Sequence, residues 1–224
     1  MSTSARVRAI LGGVISAYRS DPAYQHRPQM LAELDWIARR LDQPIRIALA
    51  GTLKAGKSTL VNALVGEEIA PTDATEATRL VTWFRHGMTP RVTANHRDGR
   101  RTDVPITRDR NNSAGLTFDL ARYSGAQGAA NVGDIVDLDV QWPAVELEHT
   151  TIIDTPGTSS LSRDVSDRTL QLLVPHDGVP RVDAVVFLLR TLNAPDIALL
   201  KQILGTKIRS EREGEKVWRV EVGA

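Results

Sequence analysis

The sequence predicts an α/β protein in which helices cover a largely parallel sheet and a pair of helices comes first. Three observations predict it. Two apolar stripes at helical spacing occupy residues 1–43, strand-like and helix-like runs alternate from Pro44 onward, and a glycine-rich turn, Gly51 to Ser58, joins the first strand to the next helix. With 224 residues the chain can bury a full core, and it fits one α/β domain with an appendage.

Val7, Ile10, Leu11, Val14, Ile15 and Tyr18 recur at helical spacing, with Ser2 or Ser4 as the candidate cap. The Gly12-Gly13 pair weakens that helix by about 1 kcal/mol per glycine relative to alanine unless another helix packs closely there. After the polar turn at Asp21-Pro22, a second stripe runs through Met30, Leu31, Leu34, Ile37 and Leu41. Together they predict an antiparallel helical hairpin, read either as a separate neck or stalk or as helices packed on the domain that follows. That domain is expected over residues 44–204, with residues 205–224 left as a tail.

Ile45 to Ala50 reads as a buried strand and Lys57 to Val65 as a helix. A second strand is expected at Leu80 to Arg85, and a hairpin from Arg91 to Ala94 and Thr102 to Ile106, turning at Asp98-Gly99. Residues Asn111 to Asp134 read as a mobile insertion with a short ordered piece at Leu116 to Tyr123. Val136, Leu138, Val140 and Trp142 alternate with Asp137, Asp139 and Gln141, which predicts a half-buried strand with its acids outward. Another strand, Thr150 to Ile153, leads into Asp154. Val217 to Val222 alternates as a last strand whose charges suit an edge.

Composition narrows the function by exclusion. The 28 Lys and Arg balance 27 Asp and Glu, so net charge draws the chain neither to nucleic acid nor to an anionic membrane. Without cysteine there is no disulfide, thiol catalysis or Cys-bound zinc, and the expected location is the cytoplasm. The first twenty residues are broken by Arg6, Arg8, Gly12, Gly13 and Arg19, so neither a signal peptide nor a spanning helix is expected. Arg97, Arg100, Arg101, Arg108 and Arg110 form a basic run, read as a solvated hairpin, and no aromatic residue lies between Phe84 and Phe118 to stack on bases. No nucleic-acid partner is expected. The histidines, His26, His86, His96, His149 and His176, lack close ligand spacing, so no protein-held zinc is expected.

Gly51-Thr52-Leu53-Lys54-Ala55-Gly56-Lys57-Ser58 matches the phosphate-binding pattern GxxxxGK[ST] between a strand and a helix. Glycines let the backbone turn tightly, so that successive N–H groups and the positive helix end surround phosphate oxygens. Lys57 is the candidate contact for the β- and γ-phosphates and Ser58 for Mg²⁺, with Thr59 completing the helix start. Asp154-Thr155-Pro156-Gly157 stands at the carboxyl end of a strand, where α/β sheets place ligands. Asp154 is therefore the second candidate Mg²⁺ ligand, and Gly157 offers its N–H to the γ-phosphate. The polar stretch from Ala70 to Thr78 supplies a further hydroxyl for Mg²⁺. Thr78 is the choice by spacing, and Thr72 and Thr75 compete with it. The residues alone predict an Mg²⁺-dependent nucleoside triphosphatase of P-loop NTPase fold.

These features resemble the bacterial branch of the dynamin-like GTPases, and within it the mycobacterial isoniazid-inducible members. The likeness runs from about Met1 to about Leu204 and is strongest over Ala48 to Val65, Ala70 to His86, Thr151 to Ser160 and Asp183 to Arg190. It implies a dynamin-type G domain, GTP hydrolysis with Mg²⁺, GTP and GDP as ligands, and nucleotide-dependent self-association, as a homodimer across the nucleotide site or with a related dynamin-like partner. It also implies action at membranes under cell-wall stress, placing the protein at the inner face of the cell membrane. The sequence departs from the family at its end. Guanine is read by an Asp in an N/TKxD-like motif, and no Asp follows Asp196; Thr206-Lys207-Ile208-Arg209 has Arg in that place. The G domain is thus expected to be incomplete at its C-terminal end, with the membrane contacted only through regions absent here. Thr158 stands where many small GTPases carry a water-orienting Gln and is too short for that role. Lys54 is a candidate for cationic stabilisation of the leaving phosphates, a role some dynamin relatives give to a monovalent cation, with a solvated lysine as the alternative. The competing function is a catalytically weak scaffold fragment without guanine specificity, and ATP is the competing nucleotide.

Overall fold

A computed structural model describes residues 3–24, 27–71, 80–108, 116–118, 120, 134–157, 172–173, 181–189, 197, 200, 208–210 and 218–220. The chain divides into two compact units, Met1–Pro44 and Ile45–Ala224.

In the first unit, α1 (Thr3–Ser20) and α2 (Pro28–Leu41) form a helical hairpin, with a short 3₁₀ turn at Pro22–Tyr24 in the connection between them. Ser4 lies inside α1, so it is not the cap, and Ser2 is outside the described residues. Proline at the start of α2 suits a position whose N–H has no partner in the helix, and Arg39 and Arg40 face the negative helix end. The helices meet through the buried Ile15, through Arg19 gripping both Asp35 oxygens at 2.9 Å, and through Arg8 donating to the Leu41 carbonyl at 2.9 Å. A Cβ on Gly12 or Gly13 would meet nothing within 4 Å, so the glycine pair is not a close-packing notch among the described residues.

The second unit is built on a seven-stranded sheet: β1 (Ile45–Gly51), β2 (Val81–His86), β3 (Arg91–His96), β4 (Arg101–Asp103), β7 (Ile135–Trp142), β8 (Thr150–Asp154) and β9 (Ala184–Leu188). Their order is β4-β3-β7-β2-β8-β1-β9. β1 is parallel to β8 and β9, and β2 to β7, but β2 and β8 are antiparallel, so the sheet is mixed where a largely parallel one is expected. Helix α3 (Lys57–Val65) follows β1. Two short ribbons stand apart from the sheet, β5 (Ile106–Arg108) with β6 (Leu116–Phe118), and β10 (Ile208–Ser210) with β11 (Trp218–Val220).

Alternation along β1 divides the core in two. Leu49 packs with Val61 and Val65 of α3 and with Phe84, Leu138, Val140 and Ile152, whereas Ala48 and Ala50 pack with Val81, Ile153, Leu172 and Leu173. Several expectations need correction. The second strand begins one residue later, at Val81. The strand expected from Thr102 to Ile106 ends at Asp103: Val104 still donates to the Val92 carbonyl at 2.8 Å, but Pro105 has no N–H to continue the ladder. In β7 the register skips Val136, pairing Ile135 with His96 and Asp137 with Asn95; this bulge leaves Val136 exposed and Ile135 buried. Asp139, expected outward, is only 9 % exposed, flanked by Arg85 at 3.6 Å and Arg101 at 3.7 Å. Within the expected last strand, Trp218–Val220 pairs with Ile208–Ser210 in a two-stranded ribbon, where each strand is an edge. Thr206, Lys207, most of Asn111 to Asp134, His26, His176, Arg110 and Thr158 lie outside the described residues.

Candidate functional site

β1 ends at Gly51, whose φ of 148° and near-contact with the Leu188 carbonyl leave no room for a side chain. The loop then turns through Lys54 at φ 62° and Gly56 at φ 97°, and closes with the Ala55 N–H on the Thr52 carbonyl at 3.2 Å. A non-glycine residue in the left-handed region is strained, so Lys54 is held there by the loop around it. Alternating backbone handedness of this kind turns successive N–H groups toward a common point, which makes an anion-binding concavity at the start of α3.

Lys57, the first residue of α3, is 8 % exposed, and its ammonium donates to the Gly51 carbonyl at 3.2 Å and the Thr52 carbonyl at 3.0 Å. Burial holds its pKa below the ordinary lysine value, partly countered by the negative charge of Asp154. One position on, the Ser58 hydroxyl donates to Asp154 Oδ2 at 2.6 Å, a contact between residues 96 apart in sequence. Burial pushes the Asp154 carboxyl up to about 6, against the Ser58 hydrogen bond, the Lys57 charge and the Thr155 N–H. Asp154 Oδ1 is buried without any hydrogen-bond partner.

That unpaired oxygen and the serine hydroxyl beside it are oxygen donors of the kind a hard divalent cation takes. Mg²⁺ takes one or two protein oxygens and completes its shell with water and phosphate, and Ser58 and Asp154 fit it. Among the described residues no cluster of three or more His, Asp or Glu could hold a metal unaided.

Gly157 lies against the phosphate loop itself. A Cβ there would stand 2.6 Å from Leu53 Cα and 2.7 Å from Leu53 N, so the two backbones can touch only because position 157 has no side chain. Thr52 and Ala55 are half-buried, and Leu53, Lys54 and Thr59 are exposed. The fold thus brings together Gly51 to Thr59, Asp154 and Gly157, while Thr78, Thr72 and Thr75 lie outside the described residues. Sequence reasoning passed over Thr155. Its hydroxyl donates to the Leu49 carbonyl at 2.7 Å and its N–H points to the same oxygen at 3.3 Å, clamping the Asp154–Gly157 turn to β1. The available signal was a hydroxyl residue next to a strand-end carboxylate.

The Dynamin family model matches residues 47–191, from within β1 to beyond β9. The chain belongs to the dynamin family. It is 68% identical over 205 residues to isoniazid-induced protein IniC of Mycobacterium tuberculosis, a match covering 92% of this chain and 39% of that protein. Isoniazid-induced protein IniA of the same organism is 30% identical over 158 residues, covering 68% of this chain and 23% of IniA. Among solved structures, one described as an oligomerised bacterial dynamin pair that provides a mechanism for long-range sensing and tethering of membranes superposes with a TM-score of 0.54. It is 18% identical and covers 94% of this chain and 30% of that one, a likeness of fold. This dynamin-family chain therefore spans well under half the length of the relatives it matches. Among its described residues no helix is long and apolar enough to cross a membrane.

Proposed function

We propose that this chain binds GTP with Mg²⁺ at the Gly51–Ser58 loop and supports its hydrolysis, as the nucleotide-handling part of a dynamin-like GTPase. The observation that carries the reading is the 2.6 Å hydrogen bond from Ser58 to Asp154, beside the buried, unpaired Asp154 Oδ1. It joins two motifs that are remote in sequence into one oxygen-donor site at the mouth of a phosphate-binding loop.

In this reading the loop N–H groups bind the phosphates, and the Lys57 ammonium adds a charge-assisted contact. Mg²⁺, when bound, neutralises charge on the phosphate oxygens. The Gly157 N–H marks the γ-phosphate, Thr78 and backbone groups orient the attacking water, and Lys54 offers a second cation to the leaving phosphates. From the family and the IniC likeness, the whole protein would act peripherally at the inner face of the cell membrane in an isoniazid or cell-wall stress response. It would associate across the nucleotide site with a second copy or with a related dynamin-like protein.

Calorimetric titration of the chain with GTP, GDP and ATP in Mg²⁺, repeated with Lys57→Ala, tests the proposal. Expected are Mg²⁺-dependent binding of GTP and a loss on Lys57→Ala of at least ~10-fold, since hydrogen bonds from a charged group contribute about 1.5–3 kcal/mol. Equal affinity for GTP and ATP would defeat guanine selectivity. No binding of any nucleotide would support a scaffold instead.

A further inference from the structure

We propose that the helical hairpin of the first unit is a dimerisation surface: two copies of this chain stack their hairpins end for end into a four-helix bundle, without nucleotide. The hairpin has two unlike sides. One is closed by ion pairs, Arg8 with Asp42 at 3.0 Å and Arg19 with Asp35 at 2.9 Å, and Ile15 is buried between the helices. The other is apolar and open. Val7, Ile10 and Val14 follow one face of α1 at spacings of three and four, and Met30 and Ile37 stand seven apart on α2. Ile10 is 67% exposed and the other four between 39% and 43%. At about 100° per residue, each set lies roughly a quarter to a third of a turn back from the residues of its own helix that contact the other one. The helices are antiparallel, so equal offsets fall on the same side, and the five side chains form one face.

Two helices cannot bury such a face by themselves, and an apolar stripe of this kind is what a helix presents to the other helices of a bundle. Charge selects the occupant and its direction. Glu33 and Arg40 follow Met30 and Ile37 by three residues each and border the face on α2, Glu33 toward the turn and Arg40 toward the open end, where it also donates to the Pro44 carbonyl at 2.9 Å. Arg6 borders the face on α1, one turn before Ile10. A second copy turned end for end lays α2 along α2 and sets each Glu33 beside the other copy's Arg40, a contact made twice by twofold symmetry. Stacking with the turn ends together would instead lay α1 along the other copy's α2 and bring Arg6 against Arg40, two like charges. The turn end of the face also holds a recess of about 490 Å³ lined by Arg27, Pro28, Gln29, Met30 and Glu33. End-for-end stacking lays the Arg40 end of the other copy over this recess, so shape and charge select the same arrangement.

Sedimentation velocity without nucleotide tests the proposal, on wild type, Ile10→Glu, Ile37→Glu and Lys57→Ala. Wild type is expected to form a concentration-dependent dimer. Each glutamate variant is expected to raise the dimer dissociation constant ~10-fold or more, because it would bury a charge in the apolar face. Both positions are exposed in a single copy, so these variants keep the fold, which a thermal melt of each checks. Lys57→Ala is expected to dimerise like wild type, which separates this surface from association across the nucleotide site. The chain has no cysteine, so an introduced thiol can cross-link only to another copy. Val14→Cys, near the middle of the face and so near the twofold axis, is expected to give a disulfide-linked dimer under mild oxidation. Ala23→Cys, at the turn, stands at opposite ends of the bundle in the two copies and is expected to give none. A monomeric wild type would mean that the face is covered from within one polypeptide and would overturn the proposal. So would a dimer indifferent to Ile10→Glu and Ile37→Glu, lost in Lys57→Ala, or cross-linked through Ala23→Cys rather than Val14→Cys.

Discussion

Replacing Asp154 with asparagine should make the nucleotide-free protein more stable while disabling its metal site. An exposed aspartate titrates at 3.8, but Asp154 titrates at about 6 because its carboxyl is buried, even with Ser58 donating to it and the Lys57 charge nearby. The folded chain therefore holds this proton more tightly than the unfolded chain does. The contribution to stability is greatest below the unfolded value, declines as pH rises from 3.8 to about 6, and is constant above that. At ~1.4 kcal/mol per pH unit, the ionised carboxylate costs the fold on the order of 3 kcal/mol at neutral pH. Asp154→Asn removes the charge and keeps an oxygen to accept from Ser58. Its advantage over wild type should be ~3 kcal/mol at about pH 7.5 and shrink to ~1 kcal/mol at about pH 4.5, where the unfolded carboxylate is mostly ionised and the folded one is not. In thermal melts the neutral-pH gap corresponds to about 6–12 °C, at ~2–4 °C per kcal/mol for a chain of this size. The stabilisation by Mg²⁺ and nucleotide expected of wild type should vanish in the variant. A variant no more stable than wild type at about pH 7.5, or one whose advantage does not shrink in acid, would refute the argument.

Gly157→Ala should cost about 1–3 kcal/mol, read as a lower urea midpoint, because its Cβ would fall 2.6 Å from Leu53 Cα and the two backbones would have to part; a wild-type midpoint would show that the turn moves freely. Lys54 at φ 62° pays for a left-handed backbone that glycine adopts without strain, so Lys54→Gly should be ~0.5–1 kcal/mol more stable than Lys54→Ala in the same assay. Both variants lack the ammonium, so slow GTP turnover in both would support its cationic role, and wild-type turnover in both would remove it.

Much of this architecture is legible in the sequence because it rests on local periodicity. The stripes of α1 and α2, the apolar β1 and the alternation of β7 each report on one element, and the glycine-rich loop carries its own chemistry. What is not legible depends on partners across the sheet. Val136 belongs by alternation to the buried set, and only the bulge opposite Asn95 and His96 turns it outward. Asp139 looks like a solvent-facing acid until Arg85 arrives from the neighbouring β2 and Arg101 from β4 beyond β3. Asn62 reads as an unremarkable helix residue, since its partners, the Ile69 and Ala70 N–H groups, lie in the turn beyond the helix and only the fold aims its side chain back at them.

The meeting of Ser58 and Asp154 follows from strand register, which also explains why the turn after β8 needs a clamp. β1 and β8 run parallel with Leu49 opposite Asp154, so the phosphate loop and the Asp154–Gly157 turn leave the sheet at the same end. A slip of one residue would move Asp154 by about 3.3 Å and send its side chain to the opposite face, away from α3. Two polar ties fix the strands that flank β1, one at each of its ends. At its start, the Asp183 carboxylate accepts from the Arg46 backbone N–H at 2.7 Å and pairs with the guanidinium at 3.3 Å, setting β9 against β1. Near its end, Thr155 fastens β8 through the Leu49 carbonyl. Thr155→Val keeps the shape but removes the hydroxyl donor, so it should weaken Mg²⁺-dependent nucleotide binding through Asp154, whereas disrupting Arg46–Asp183 should lower stability first. If Thr155→Val bound nucleotide like wild type, the β1–β8 ladder alone would suffice to hold Asp154 against Ser58.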